Sequence, residues 1–331
     1  MVRFGILGFG LHAVRRLMPG FEQAKRSTVT GLWRRDRTRA EQVVRDYPQY
    51  SLRAYDTPEE LCTSSDVDAI FVASPDALHL AHVLLAIKHH KPVLCEKPMA
   101  MNAAECERMV AAASQADVLL GVAQNFRFNR SVLRMKELVQ QGKIGRPLLA
   151  RSEFFYPARN SPRTWIADAS LACGGPIGDV AVHCIDTLRF VLDDEVVLVC
   201  ARAVSDEYSG SLECAATILL EFQKGTSASV QVSARAEYRT PFWISGEGGL
   251  LGGENALTVD HPIELKLKTL SAAEIKETIS NGDAYARQVD AFAESVEHGV
   301  PFASPGIDGL QNQRILDAAY RSVKSGKCET P

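Results

Sequence analysis

The chain has 331 residues, of which 46% are hydrophobic and 23% are charged, and its formal net charge is -3 at pH 7. This length holds enough apolar residues for two ordinary domains, and the charge provides no basic surface for nucleic acid. No apolar run reaches the roughly 18 residues of a membrane span, and no signal-peptide pattern marks the N-terminus. We therefore expect a two-domain cytoplasmic protein that binds neither nucleic acid nor a membrane.

Eight cysteines occur, at positions 62, 95, 106, 173, 184, 200, 214 and 328. No two of them form a CxxC pair, and none has the spacing to histidine that is typical of zinc ligands. Most of them lie in apolar runs. The pattern predicts reduced, buried thiols, the usual state in the cytoplasm, and no metal site.

The N-terminal segment has the order strand, glycine turn, helix. The apolar run 2–7 is followed by Gly8-Phe9-Gly10-Leu11-His12-Ala13 and by a helical pattern through Leu17, which Pro19 is expected to break or bend. In a dinucleotide site the first glycine forms the tight turn, the second admits the pyrophosphate, and a small third residue allows close packing. The pattern favours a dinucleotide site over a plain strand-to-helix turn because it directly follows the first strand.

A second strand is predicted at residues 28–33. The position where an NAD enzyme usually offers an acid to the ribose hydroxyls is occupied by Arg34, and Arg35 follows it. Two guanidiniums suit a 2′-phosphate, so the segment favours NADP over NAD. A solvated strand end is the alternative, with Asp36 as the ribose acid.

Further apolar runs alternate with helical patterns, which predicts a parallel sheet covered on both faces. The runs lie at 69–73, 92–95 and 118–122, and the helical patterns at 77–87 and 103–113. Ligands of such sheets bind beyond the carboxyl ends of the strands, where this chain has Ser74-Pro75-Asp76 and Glu96-Lys97-Pro98. Lys97 is expected to be partly desolvated near the nicotinamide and to hold a carbonyl or hydroxyl oxygen there. An ordinary surface lysine is the alternative.

A predicted helix start at residues 174–186 follows a glycine pair and carries three ionisable groups. Asp179, His183 and Asp186 stand at i, i+4 and i+7, so they share one helical face. The preceding glycines are expected to let a ligand approach the backbone. Because the remaining positions are mostly apolar, the pattern favours an active site over a capped, solvated helix.

Beyond residue 122 the pattern changes to long alternating runs, which predict a half-exposed antiparallel sheet. They lie at 148–156, 196–204, 214–222, 227–238 and 263–270, with helical patterns at 179–191, 284–297 and 307–323. The predicted fold is therefore α/β. An N-terminal Rossmann domain with a parallel sheet (1–122) precedes a C-terminal α+β domain with a large, mostly antiparallel open sheet (123–331).

Five motifs in this order resemble the Gfo/Idh/MocA oxidoreductase family across nearly the whole chain. They are GFGLHA (8–13), ASPDALH (73–79), CEKPMA (95–100), QNFRF (124–128) and the run from GGPIGDVAVH onwards (174–193). The last run is most similar to members that act as 1,5-anhydrofructose reductases or related sugar-carbonyl reductases.

The resemblance implies a catalytic set of Lys97, Asp179 and His183, with Lys97-Pro98 as a cis peptide. It implies a cofactor site that includes the following residues: Gly8, Phe9, Gly10, Leu11, Arg34, Arg35, Ser74, Pro75, His79, Glu96, Lys97, Pro98 and Asn125. The substrate is expected at Lys97, Arg127, Trp165, Asp179 and His183. The resemblance further implies a homodimer or higher homo-oligomer, with the second face of the open sheet either buried against another subunit or solvated. It also implies a last helix that docks near the nucleotide domain.

One departure from the family concerns the segment before the glycine pair. Reductase members often carry Trp-Arg there, whereas this chain has Trp165-Ile166, and Arg163 is the arginine that can compensate. Trp165 covers the nicotinamide or a sugar face, or else is a half-buried core indole. Asn125 and Arg127 bind ligands, or else fix the hinge between the domains.

These observations predict hydride transfer between NADP or NAD and a sugar, anhydrosugar or cyclitol that carries a hydroxyl or carbonyl. His183 exchanges the hydroxyl proton, Lys97 stabilises charge on that oxygen, and Asp179 binds a neighbouring hydroxyl. Two alternatives are a glycosidase or lyase that recycles its cofactor and a non-catalytic sensor that binds NAD(P) or sugar.

Overall fold

The computed structural model describes residues 1–331, which form two compact units. The first unit comprises residues 1–124 and 285–310, and the second comprises residues 125–284 and 311–331. The sequence-based boundary after residue 122 lies two positions earlier. Residues 285–310, which the sequence assigned to the second domain, pack with the first unit instead.

The first unit contains a six-stranded parallel sheet in the order β3-β2-β1-β4-β5-β6. Its strands are β1 (Val2–Leu7), β2 (Ser27–Trp33), β3 (Arg53–Ala54), β4 (Ala69–Val72), β5 (Val93–Cys95) and β6 (Leu120–Val122). Its first helices are α1 (Met18–Gln23), α2 (Arg37–Asp46), α3 (Pro58–Thr63), α4 (His79–Lys88) and α5 (Ala103–Ala116). Every residue of β4 and β5 is buried, as expected of a parallel sheet covered on both faces. The predicted Rossmann architecture is confirmed.

Of the two effects predicted for Pro19, the break of the helix does not occur. Residues 11–23 are helical throughout, with a π-helical turn at Ala13–Leu17 and Pro19 in the first turn of α1. Proline lacks the N–H of the regular ladder, and its ring would meet the carbonyl four residues earlier in an α-helix. The wider π turn removes that conflict, so the helix continues.

The second unit contains an eight-stranded sheet in the order β14-β13-β12-β11-β7-β10-β9-β8. All neighbours are antiparallel except β7 and β10, which are parallel. The strands are β7 (Pro147–Phe155), β8 (Val196–Val204), β9 (Ala215–Phe222), β10 (Ser227–Ser233), β11 (Phe242–Gly246), β12 (Gly249–Gly253), β13 (Ile263–Thr269) and β14 (Ile275–Ile279). The mostly antiparallel sheet predicted for this half of the chain is confirmed.

One face of this sheet packs against helices and the other is open. Along β9, Ile218 and Leu220 are fully buried, whereas Leu219 between them is 52% exposed. The helices α6 (Arg130–Gln140) and α7 (Val182–Leu192) contribute buried residues to the same core as the inward side chains of the sheet. Alternate positions of each strand therefore point to the core and to the open face.

Two helices close the chain, α8 (Ala284–His298) and α9 (Gly306–Ser325). The first of them belongs to the first unit, as do the initial residues of α9 up to Leu310. The remainder of α9 belongs to the second unit, where Leu316 and Ala319 lie in the core. None of the helices combines the length and apolar character that crossing a membrane requires.

The expectation that all eight cysteines are reduced is wrong for one pair. Cys200 in β8 and Cys328 near the C-terminus form a disulfide with a Cα–Cα distance of 4.3 Å across a sequence separation of 128. An antiparallel bridge between Val199 and Glu329 brings the two together. No local pattern reveals this pairing, because it depends on where the chain end returns to the sheet.

Candidate active site

The turn after β1 has the geometry that a dinucleotide requires. Gly8 has φ +91°, and a Cβ there would overlap the backbone of Ser74, so only glycine fits. A Cβ at Gly10 would meet no protein atom within 4 Å, so the chain leaves open space in front of the helix that follows. Ala13 is fully buried, which lets that helix pack closely. These features fit a pyrophosphate at the helix N-terminus.

Phe9 is predicted to contact the cofactor, but its side chain is 1% exposed and packs edge-on against Tyr47. Only its backbone is available to a ligand at this turn. Leu11 is partly exposed at the start of the helix.

Glu96 follows β5 and is paired with His12, which lies in the glycine motif. The Nε2 of His12 is 2.9 Å from Oε1 of Glu96. Burial alone would raise the pKa of Glu96, but His12 and Lys97 act against it, and the net effect lowers the pKa. The carboxylate therefore carries its charge next to Lys97, whose backbone N–H donates to it at 3.2 Å.

His79 is fully buried, so it does not face a cofactor as the sequence assignment proposed. Its ring nitrogens lie 3.0 Å from the carbonyl oxygen of Pro98 and 2.9 Å from that of Ser74. The imidazole thus ties together the segments that follow β4 and β5. The expected cis peptide between Lys97 and Pro98 is confirmed.

The segment after β2 contains the two candidate contacts of the ribose, Asp36 and Arg34, and their surroundings differ. Asp36 is the N-cap of α2, where its carboxylate accepts from the Arg39 N–H and pairs with the Arg39 side chain at 3.3 Å. Arg34 is partly buried, and desolvation and the nearby Arg39 lower its pKa. An anionic ligand beside Arg34 and Arg35 would relieve this repulsion.

In the second unit, the helix that carries the predicted catalytic pair begins with a π-helical turn at Ile177–Ala181 and continues as α7. Asp179 Oδ2 accepts from Tyr156 Oη at 2.5 Å and from Arg163 Nη2 at 3.3 Å. Burial and the adjacent carboxylate raise the pKa of Tyr156, so the phenol keeps the proton that it donates. Arg163 contacts Asp179, and its role in place of the missing arginine stays a prediction.

His183 lies one turn further along and is 8% exposed. Its ring is 4.6 Å from that of Phe126 and 5.9 Å from that of Phe154, centre to centre. The two phenylalanines fix the plane of the imidazole by packing.

Asp186 does not belong to this group, contrary to the expectation of three ionisable groups on one accessible face. It is 1% exposed and accepts from Arg127 Nε at 2.9 Å and Nη2 at 2.6 Å. Asn312 of α9 donates to the same carboxylate at 2.8 Å. Arg127 is buried in this ion pair, which favours its alternative role in fixing structure over substrate binding. Asn125, 4% exposed, lies in the 3-10 turn with it.

The glycine pair before the helix is required by close packing, and both glycines also line the cavity beside Asp179. A Cβ at Gly174 would overlap the hydroxyl of Tyr320, and one at Gly175 would overlap the carbonyl oxygen of Glu213. Glu213 accepts from the N–H of Ile177 at 2.8 Å and from Tyr320 Oη at 3.1 Å. The carboxylate thus caps the first turn of the helix.

A cavity of about 290 Å³ opens beside Asp179 within the second unit. Tyr156, Arg163, Ile166 and Glu213 are among its lining residues, whereas Trp165 is not. Trp165 is partly buried in the 3-10 turn Thr164–Ala167. Its role as a substrate contact therefore stays a prediction.

Sequence reasoning did not identify Tyr156, Glu213 or the phenylalanines around His183. Tyr156 directly follows the alternating run of β7, and the end of a strand is a signal that could have singled it out. Glu213 lies in the loop before β9, and no local pattern connects it to the helix that it caps.

Two family models match the chain, one in each half, and both fit the architecture described above. Residues 2–124 match the oxidoreductase family with an NAD-binding Rossmann fold, and residues 132–251 match the GFO/IDH/MocA C-terminal domain. The chain belongs to the Gfo/Idh/MocA oxidoreductase family. The resemblance inferred from the five motifs is confirmed, and the chain is an NAD(P)-dependent oxidoreductase.

Among its relatives in this family, 1,5-anhydro-D-fructose reductase of Ensifer adhaerens is 33% identical over 278 residues, 81% of each chain. Inositol 2-dehydrogenase 3 of Saccharopolyspora erythraea is 30% identical and covers 98% of this chain and 94% of its own. Aldose-aldose oxidoreductase from Caulobacter crescentus, solved with glycerol, superposes with a TM-score of 0.91 at 24% identity. That match covers 100% of this chain and 99% of the other, and it supports the fold alone.

Proposed function

We propose that this Gfo/Idh/MocA enzyme transfers a hydride between a nicotinamide cofactor and a carbon that bears a hydroxyl or carbonyl on a sugar, anhydrosugar or cyclitol. The observation that carries the proposal is the placement of Asp179 and His183 one turn apart at the start of a buried helix, with Asp179 lining a cavity. The named activities of the relatives, on anhydrofructose and inositol, support the same substrate class.

The residues have separate tasks in this proposal. His183 gives or takes the hydroxyl proton, because a histidine exchanges protons near neutral pH. Lys97 stabilises the charge that develops on the same oxygen. Asp179, held by Tyr156 and Arg163, accepts a hydrogen bond from a neighbouring hydroxyl and orients the ring. The nicotinamide, when bound, would accept or donate the hydride, and the other tasks belong to these residues.

We further propose NADP as the preferred cofactor. Gly8 and Gly10 form the cradle for the pyrophosphate, and Arg34 and Arg35 supply two guanidiniums for a 2′-phosphate. Asp36 is engaged as the N-cap of α2, which supports the arginines over this carboxylate as the ribose contact.

A second copy of the chain is our proposed partner for the open face of the eight-stranded sheet. Leu149 and Leu219 are 61% and 52% exposed there, beside Trp243 and Leu250. Apolar side chains grouped on one sheet face are typical of a protein interface. Light scattering of the purified protein tests this, and a strictly monomeric mass would contradict it. The cytoplasm stays the predicted location.

The test of the proposed function is an assay with oxidised and reduced cofactor against a panel of aldoses, anhydrosugars and inositols. We expect a stoichiometric change in nicotinamide absorbance with at least one of them. Cleavage of a chromogenic glycoside without net change in that absorbance would identify a recycling glycosidase instead. Cofactor binding without turnover of any compound would identify a sensor.

A further inference from the structure

The cavity beside Asp179 is lined by three arginines, Arg159, Arg163 and Arg235. It lies between the segment that follows β7 and the loop that joins β8 to β9, and all its lining residues belong to the second unit. Small-molecule sites usually have about 300–1,000 Å³, so its volume of about 290 Å³ suits a single sugar ring rather than an oligosaccharide.

Two of these arginines have carboxylate partners. Arg163 contacts Asp179 at 3.3 Å, and Arg235 binds Asp206 through Nε at 2.7 Å and Nη2 at 3.0 Å. The hydrogen bond from Arg235 lowers the pKa of Asp206 to about 2, so both members of that pair are charged and compensate each other.

Arg159 differs from the other two. Its guanidinium lies 4.0 Å from the centre of the Tyr208 ring, and it forms no salt bridge. The backbone of the loop that presents this ring is held by Asp206, which accepts from the N–H of Tyr208 at 3.1 Å while it binds Arg235, and the Tyr208 side chain itself is 52% exposed. A guanidinium stacked on an aromatic ring keeps the N–H groups of its edge available to a planar anion.

The two carboxylates that line the cavity are already bound by donors. Asp179 is held by Tyr156 and Arg163, and Glu213 by the N–H of Ile177 and by Tyr320. Neither forms a salt bridge with Arg159. The cavity therefore offers one cation that no carboxylate of the chain compensates.

We infer that the substrate of this site is a sugar that carries an anionic group, which Arg159 binds while Asp179 binds a ring hydroxyl. The anionic group is a carboxylate or a phosphate, since both match the bidentate geometry of a guanidinium. This inference rests on the proposed function and adds the substrate class to the same site.

The test compares D-glucose, D-glucuronate and D-glucose 6-phosphate as substrates for the wild type and Arg159→Gln. A charge-assisted hydrogen bond contributes roughly 1.5–3 kcal/mol, so we expect kcat/KM for at least one acidic sugar to exceed that for glucose by about 10- to 100-fold. Arg159→Gln should abolish this ratio through KM and leave kcat nearly unchanged. Whichever of the two acidic sugars is preferred identifies the anionic group.

Two variants serve as controls. Arg146→Gln removes an exposed guanidinium of the same unit that is paired with Glu247, and we expect it to keep the wild-type ratio. Tyr208→Phe retains the aromatic ring and should keep the ratio, whereas Tyr208→Leu removes the ring and should reduce it. A loss of activity caused only by poor folding would change all three sugars equally.

An equal response of the three sugars to Arg159→Gln overturns the inference, and turnover of glucose in that case leaves the proposed function intact. If none of the three is turned over, thermal unfolding in the presence of each sugar decides. The anion site is supported if an acidic sugar raises the Tm of the wild type, while glucose does not and Arg159→Gln shows no such rise. If no acidic sugar raises the Tm of the wild type in this way, the inference is overturned.

Discussion

At the residue scale, our proposal makes the choice between the two cofactors depend on Arg34. We expect Arg34→Asp to weaken NADPH binding by about 10- to 100-fold, because it replaces a charge-assisted contact to the 2′-phosphate by repulsion. NADH binding should stay the same or improve. Titration with each reduced cofactor, followed by nicotinamide fluorescence, measures both affinities.

Arg45→Asp is the matched control for this charge change, because Arg45 is exposed near the far end of α2. It should leave the preference for NADPH unchanged. Preference for NADH in the wild type would instead favour Asp36 as the contact of the ribose hydroxyls, and it would favour a dehydrogenase or an enzyme that recycles its cofactor.

Single residues also mark what the sequence could and could not reveal. Asp179 and His183 are proposed as site residues from their helical spacing, which is a local property. Asp186 has the same kind of spacing, yet it pairs with Arg127 inside the unit. Spacing predicts which face a residue occupies, but which neighbours cover that face depends on elements distant in sequence.

At the scale of elements, the start of the helix that carries Asp179 and His183 depends on the carboxylate of Glu213. We expect Glu213→Ala to lower the free energy of unfolding by about 1–3 kcal/mol, because it leaves the buried N–H of Ile177 without its acceptor. Glu213→Gln keeps an acceptor oxygen and should be much closer to the wild type. Urea unfolding measures both variants, and equal stability of Glu213→Ala and the wild type would contradict the capping role.

The free energy of unfolding should depend differently on pH in the wild type and in Glu213→Gln. Burial raises the pKa of Glu213 above its ordinary value of 4.5, so the folded chain holds this proton more tightly than the unfolded chain. This contribution to stability is complete below the ordinary pKa and is lost as the pH rises through the raised pKa. Glu213→Gln does not titrate and should lack this loss.

Element prediction succeeded where alternation was strict and failed where glycine interrupted it. β8 was predicted with its observed bounds at residues 196–204. β11 and β12 were missed because five glycines between residues 246 and 253 hide the two-residue period. β14 was missed because it is short and none of its residues is buried.

At the scale of the whole molecule, the disulfide is the feature that sequence could least reveal, and thiol counting tests it. Denatured protein without reductant should present six reactive thiols, and reduced protein eight, because only Cys200 and Cys328 are paired. In the native state Cys62 and Cys184 should not react at neutral pH, since burial raises the pKa of each to about 12. Eight thiols without reductant would contradict the disulfide.

The measurement that tests the central claim most directly compares turnover and cofactor binding in His183→Ala. General acid-base catalysis contributes about 10²–10⁴-fold, so we predict that kcat falls by that factor while the Kd for NADPH stays nearly unchanged. His261→Ala, an exposed histidine of the same unit, should alter neither quantity. Unchanged kcat in His183→Ala, or an equal loss of turnover and cofactor binding, would contradict the assignment of proton transfer to His183.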